Sequence, residues 1–326
     1  MIRRKSFIAW AGGLLLALSA CQLVDVECDQ ECQEFWLDGA TVNDPCSEPG
    51  NKDCLVSHRF GNPDNGQKAN PVIIAVHGFT ASTYEWEEFR HYAEDSSHDS
   101  GSVNVSLVLL GGHGLDIDVF RSSSSAEWGK PIVEEYDSLR ALGYQDINFA
   151  CVSTGCALLM DYLKRGYFHQ QVPRWVFMVD PIVVPSAKLL ALANIVGPIL
   201  GNSPNPGSDS EKAHWYTNRP QETLQELYSL INKVKNELEE GFKLPKGTRA
   251  KIYKSKQDES ADPVGALLIY KGMRKYDGSH IEVEMEDSHL HVMTRLQGRE
   301  PTPTQSDTLM QAKIFDQMFQ FTVSKP

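Results

Sequence analysis

The sequence predicts an α/β fold, with a mostly parallel central sheet, helices on both faces and a helical cap insertion. Three observations predict it. From Pro71 onward, short runs of consecutive apolar residues alternate with amphipathic segments, as doubly covered strands and their crossover helices do. The chain has 326 residues, 41% of them hydrophobic, which suits one large domain carrying an insertion. One interval of about seventy residues breaks an otherwise short-looped rhythm, and such intervals are usually functional.

The elements follow in order. Val72–Val76 is the first strand, Val103–Leu110 the second, Ile147–Val152 the third and Trp175–Val179 the fourth, with Lys251–Lys254 and Ile281–Met285 completing the set. Helical spacing of apolar residues marks Trp86–Ala93, Ile132–Leu142, Ala157–Lys164, Ala266–Lys275 and Leu309–Phe321. The long interval reads as an apolar helix (Lys188–Leu200), a Gly/Pro/Asn/Ser-rich loop and a charged amphipathic helix (Gln221–Glu240). Residues 183–248 are therefore expected to cap the active site, as an insertion in a domain spanning 69–326. Within the cap, Leu189, Leu190, Leu192, Ile195, Val196, Ile199 and Leu200 form an apolar surface suited to lining a ligand pocket. Trp215 and Tyr216 are candidates for its walls, with ordinary packing as the competing role.

The first seventy residues are of a different kind. Arg3, Arg4 and Lys5 precede an apolar run from Phe7 to Ala20, too short to span a bilayer and ending in small residues, as export signals do. Residues 1–20 read as a signal peptide. Leu18-Ser19-Ala20-Cys21 resembles a bacterial lipobox, which implies cleavage before Cys21, lipidation of its thiol and a membrane anchor. Gln22 stands where an aspartate would favour the inner membrane, so the expected address is the outer membrane, facing the periplasm. Residues 21–68 read as a tether whose Cys28, Cys32, Cys46 and Cys54 would pair in an oxidising compartment. Three pairings are open, and the spacing of the four does not repeat as two zinc knuckles would. Cys151 and Cys156 lie in apolar runs and read as buried thiols. Net charge is −12 and no basic stripe stands out, which argues against a nucleic-acid partner.

Ile147 to Gly155 delivers an apolar strand into Ser153, with a helix starting near Cys156. That is the arrangement of a nucleophile elbow, nominally G-x-S-x-G, where a sharp turn exposes the hydroxyl above the sheet. Gly155 supplies the second small residue, while Cys151 stands in place of the first glycine. A buried strand ending in His77-Gly78, then Phe79 and Thr80, offers the tight turn of an oxyanion-binding loop. The backbone N–H groups of Phe79 and Thr154 are the natural donor pair for a tetrahedral oxyanion.

Together with Gly112-His113-Gly114 after the next strand, this order resembles the carboxylesterase and monoacylglycerol-lipase branch of the α/β-hydrolases, from about Pro71 to the C-terminus. The resemblance implies an α/β-hydrolase fold, serine carboxylic-ester hydrolysis and a structural role for His113. It also implies an acid after a late strand, where Asp258 holds the motif's position and Asp262, beside Pro263, is the alternative. The base follows the last strand: His291-Val292 matches the family's pattern, and His289 would fit a shorter strand. The implied machinery is Ser153, His291 and Asp258, acting on a small-molecule ester through an acyl-enzyme. No cofactor is implied. No metal is implied either, because the two histidines lack the acid–histidine cluster of a known metal motif. A thioesterase, amidase or peptidase on the same fold is the second reading, since fold does not set substrate. A non-catalytic envelope lipoprotein is the third.

Overall fold

The computed structural model describes residues 65–95, 101–186, 202–205 and 207–324. The expected export signal, Cys21, the four tether cysteines and the expected apolar helix over Lys188–Leu200 lie outside them.

Six strands form one sheet: β1 (Val72–Val76), β2 (Asn104–Val108), β3 (Ile147–Val152), β4 (Trp175–Val179), β5 (Arg249–Ser255) and β6 (Glu282–Glu286). Their order is β6-β5-β4-β3-β1-β2, and every pairing is parallel. The first four are buried at every residue. Because side chains alternate across a strand, each apolar run feeds two cores. Val72, Ile74, Val76, Phe149, Val176 and Met178 face one core, while Ile73, Ala75, Ala150, Val152 and Phe177 face the other.

Helices cover both faces. On the second core lie α1 (Glu87–Glu94), entered through a 3₁₀ turn at Thr83–Trp86, and the C-terminal helix α7 (Gln305–Val323), which buries Ile314, Phe315, Met318 and Phe319. On the first lie α3 (Ser125–Leu142), α4 (Ser153–Lys164), α5 (Gln221–Glu240) and α6 (Val264–Gly272), with the short α2 (Ile117–Ser122) at one end. Among the described residues no helix is long and apolar enough to cross a membrane.

Helix α3 starts seven residues before the Ile132 expected from periodicity. Ser124 and Glu127 close a capping box at its start, and Pro131 is accommodated inside. Proline supplies no N–H to the carbonyl four residues back, which here is that of Glu127. Gly111 packs against that carbonyl, where a Cβ would lie 2.2 Å from its oxygen.

The insertion also divides differently from the sequence expectation. Helix α5 buries Leu227, Leu230, Ile231, Val234 and Leu238 in the first core. It packs on α4 and α6, within the helical layer that covers this face. The described part of the insertion that touches the site loops is Asn202–Pro220, a two-stranded pair (Asn202–Pro204 with Asn218–Pro220) around a short helix, Asp209–Lys212.

Strand β6 is an edge strand with only Val283 packed against the core. Its Glu284 pairs with Lys251 at 2.8 Å and with Lys313 at 2.9 Å. Charges along an open strand discourage pairing with another chain.

Candidate active site

In a parallel sheet, ligands gather at the carboxyl ends of the strands where the order reverses. Here the reversal lies between β1 and β3. The ends of β1, β3, β4 and β5 supply His77, Ser153, Asp180 and Asp258 in turn.

Ser153 follows β3 without a linking residue and is the first residue of α4. Its φ is +50°, a left-handed conformation that costs an L-residue roughly 1–2 kcal/mol. The close strand–helix approach explains the small residues flanking it. A Cβ on Gly155 would lie 2.6 Å from the His77 carbonyl oxygen and 2.8 Å from that of Val76. Cys151, in the place of the motif's first glycine, is fully buried, with its thiol 3.5 Å from the Phe177 carbonyl.

The structure brings the three predicted site residues into one hydrogen-bonded chain. Ser153 Oγ lies 2.9 Å from Nε2 of His291, and Nδ1 of His291 lies 2.8 Å from Oδ2 of Asp258. The second oxygen of Asp258 accepts the N–H groups of Ser260 (2.8 Å) and Ala261 (3.1 Å), which fixes the carboxylate plane. The two competitors lie elsewhere. Asp262 accepts the N–H of Val264, the first residue of α6, at 2.9 Å, and His289 is exposed.

The electrostatics fit proton transfer. Burial alone would raise the Asp258 pKa, but the His291 imidazole and the Lys254 ammonium overcome it and hold the carboxyl well below its usual range. Burial alone would lower His291, and the carboxylates of Asp258 and Asp180 raise it above 6.5. Lys254 opposes that rise.

The loop after β1 is built from buried polar contacts. Nε2 of His77 accepts the N–H of Leu110 at 3.0 Å, so Nδ1 carries the proton and donates to the Gly78 carbonyl at 2.9 Å. Burial, helped by His113, holds His77 well below its ordinary pKa. The Gly78 N–H donates to Glu85 at 2.7 Å, and the Thr80 carbonyl accepts from Tyr216 N–H at 2.9 Å. Among the described residues the N–H of Phe79 has no acceptor. That of Thr154 lies in the first turn of α4, where no intrahelical acceptor exists.

His113 is fully buried 5.2 Å from His77 in edge contact and is pushed down to about 4 by burial, as suits a packing residue. Tyr216 is buried too, stacked on Phe120 and bonded to the Leu115 carbonyl at 2.6 Å. Trp215 packs under the Arg295 guanidinium.

Sequence reasoning missed four participants. Glu85 is buried beside Gly78, and burial pushes its pKa up to about 7 against the Gly78 N–H and the charges of His291, Arg295 and Arg299. Asp180 and Lys254 are buried next to Asp258. Arg299 donates to the carbonyls of His291 and Val292, and Val292 has a φ of +65°. The available signal was a charged residue at the end of an apolar strand: Asp180 directly after β4, and Lys254 within the last turn of β5.

No protein-family model matches the chain. A carboxylesterase from Bacillus subtilis (strain 168) is 23% identical over 230 residues, 69% of this chain and 82% of that protein. A soluble variant of monoglyceride lipase from Saccharomyces cerevisiae, solved with a substrate analogue, superposes with a TM-score of 0.61 at 10% identity. It covers 91% of this chain and 96% of its own. One of the metagenome-derived lipolytic enzymes LipS and LipT superposes with a TM-score of 0.57 at 20% identity, covering 78% and 94% respectively. The fold is that of the α/β-hydrolases.

Proposed function

We propose that this chain, an α/β-hydrolase by fold, is a serine carboxylesterase acting on short to medium acyl esters. The observation that carries the reading is the unbroken chain from Ser153 Oγ through His291 to Asp258, with a strained serine at the carboxyl edge of the sheet. The likeness to a carboxylesterase and to two lipolytic folds supports it.

His291 takes the proton as Ser153 attacks the ester carbonyl, and Asp258 orients the ring and stabilises the imidazolium. The N–H groups of Phe79 and Thr154 receive the oxyanion, each worth ~3 kcal/mol of transition-state stabilisation. The imidazolium returns the proton to the leaving alkoxide, and water then attacks the acyl-enzyme by the same route. An organophosphonate probe should label Ser153, and rates across ester chain lengths, thioesters and amides set the substrate class. A protein that is neither labelled nor active on any of these is not a serine hydrolase.

The N-terminal sequence adds an address: lipidation at Cys21 and anchoring in the cell envelope, on the outer membrane facing the periplasm. The support is Leu18-Ser19-Ala20-Cys21 behind a basic and apolar leader. Cys21→Ser should abolish acyl labelling and move the protein out of the membrane fraction. Unchanged labelling and fractionation would refute the anchor.

A further inference from the structure

Lys254 is the penultimate residue of β5, and its side chain is 0% exposed. Its ammonium donates to Oδ1 of Asp180 at 3.2 Å and also to Oδ2 of Asp258, the oxygen that faces His291. Both carboxylates are themselves 0% exposed. Removing an ammonium from water is costly, and buried ion pairs are commonly outdone by apolar side chains of similar volume. A methionine here would serve packing alone.

The need for a cation lies in the neighbours. One oxygen of Asp180, one of Asp258 and a ring nitrogen of His291 all lie within 4.8 Å of one another. Two carboxylates in reach of one imidazole compete for it, and like charges this close tend to share a proton. Oδ1 of Asp180 is held by Lys254 and by the Ser255 N–H at 2.9 Å, whereas its Oδ2 has no donor among the described residues.

We infer that Lys254 is a positioning residue: its ammonium holds Asp180 and offsets part of its charge, so that Asp258 and not Asp180 orients His291. This rests on the proposed roles of Ser153, His291 and Asp258. It also assigns Asp180 as a second carboxylate that raises the basicity of His291 and is restrained by Lys254.

The charged groups around the imidazole come from every neighbouring element. Asp258 and Lys254 approach from β5 and its loop, and Asp180 from the end of β4. Glu85 approaches from the 3₁₀ turn, and Arg295 and Arg299 from the loop that follows His291. The Cys156 thiol of α4 faces Asp180. Of these, Asp180 favours the imidazolium and Lys254 opposes it, so removing each should move His291 in opposite directions.

The test titrates the His291 ring by NMR in the full chain for wild type, K254M, D180N and K254M/D180N. The pH dependence of kcat/KM on a short-chain ester is measured on the same samples. Asparagine accepts the left-handed backbone that Asp180 adopts at φ +44°, so D180N is a mild change. The expected result is a His291 pKa raised by roughly one unit in K254M, lowered in D180N and returned close to wild type in the double variant. Hydrolysis at neutral pH should fall about tenfold in K254M, in line with that shift, and recover in the double variant. If K254M does not fold, the downward shift in D180N and the recovery of folding in the double variant carry the test. Unmoved titrations, or shifts of the same sign in both single variants, overturn the inference. Because the titration needs no turnover, a wild type that hydrolyses no ester counts against the proposed function alone.

Discussion

Nε2 of His291 and Oγ of Ser153 lie 2.9 Å apart, although 138 residues separate them in the chain. Both lie on the same side of the point where the strand order reverses: Ser153 follows β3, while His291 follows β6, an edge strand three positions away. The segment after β6 crosses the ends of β5 and β4 to make the contact. It is pinned on the far side, where Thr294 donates to the Glu85 carbonyl at 2.8 Å and the N–H groups of Leu296 and Gln297 reach Glu88 at 2.8 and 2.7 Å.

Ser153→Ala should lower ester hydrolysis by a factor on the order of 10⁴ or more, because hydroxyl attack is lost and only binding and oxyanion contacts remain. Ser153→Gly should be equally inactive yet melt above Ser153→Ala, since glycine adopts the φ of +50° without strain. Differential scanning calorimetry on the two variants checks the second point. Equal melting would mean that the elbow stores no strain.

The acid limb of kcat/KM should lie above pH 6.5, because the base must be neutral and the Asp258 and Asp180 carboxylates raise the His291 pKa against the effect of burial. Asp258→Asn should cut kcat by roughly 10⁴ and pull whatever limb remains downward. A limb below 6.5 in the wild type would contradict the charge arrangement around the ring.

Glu85 gives stability its own pH dependence. Its carboxyl is raised from 4.5 to about 7 by burial, so between those values the folded state holds a proton that the unfolded chain releases. Stability from this group is then full below pH 4.5 and falls as pH rises through 7. Glu85→Gln should flatten that part of a plot of melting temperature against pH while preserving the loop. A slope identical to wild type would place the titration elsewhere.

Gly155→Ala should destabilise the protein by about 1–3 kcal/mol, the usual effect of overpacking, since its Cβ would meet two backbone oxygens under 3 Å away. Hydrolysis should fall further than stability, because any relief moves Ser153 relative to His291. Urea melts paired with initial rates separate the two effects. A variant of full stability and full rate would mean that the strand and helix can part.

The centre of the sheet was legible because its first four strands are short apolar runs. Their faces alternate as period two demands, with Ile73 and Ile74 in different cores. Ser153, Asp258 and His291 were legible because each sits just past a strand, where chain direction alone brings it to one edge. What escaped was carried by contacts between distant segments. Nothing local distinguishes Glu85 from a surface helix residue until Gly78 is found 2.7 Å away. The pairing of Lys254 with Asp180 spans 74 residues. The packing of helix α5 on α4 and α6 escaped for a similar reason: amphipathicity shows that a face is buried, but not against what.

The arrangement of strands also sets when the machinery can exist. Ser153 is synthesised first, Asp258 more than a hundred residues later, and His291 only after β6. Strand β1 cannot complete its central position until β3 has been made. On the proposed reading, a ribosome carries every elongating copy as an inert precursor until the chain past His291 has emerged. An incomplete product ending before β6 would hold the strained serine without a partner to activate it.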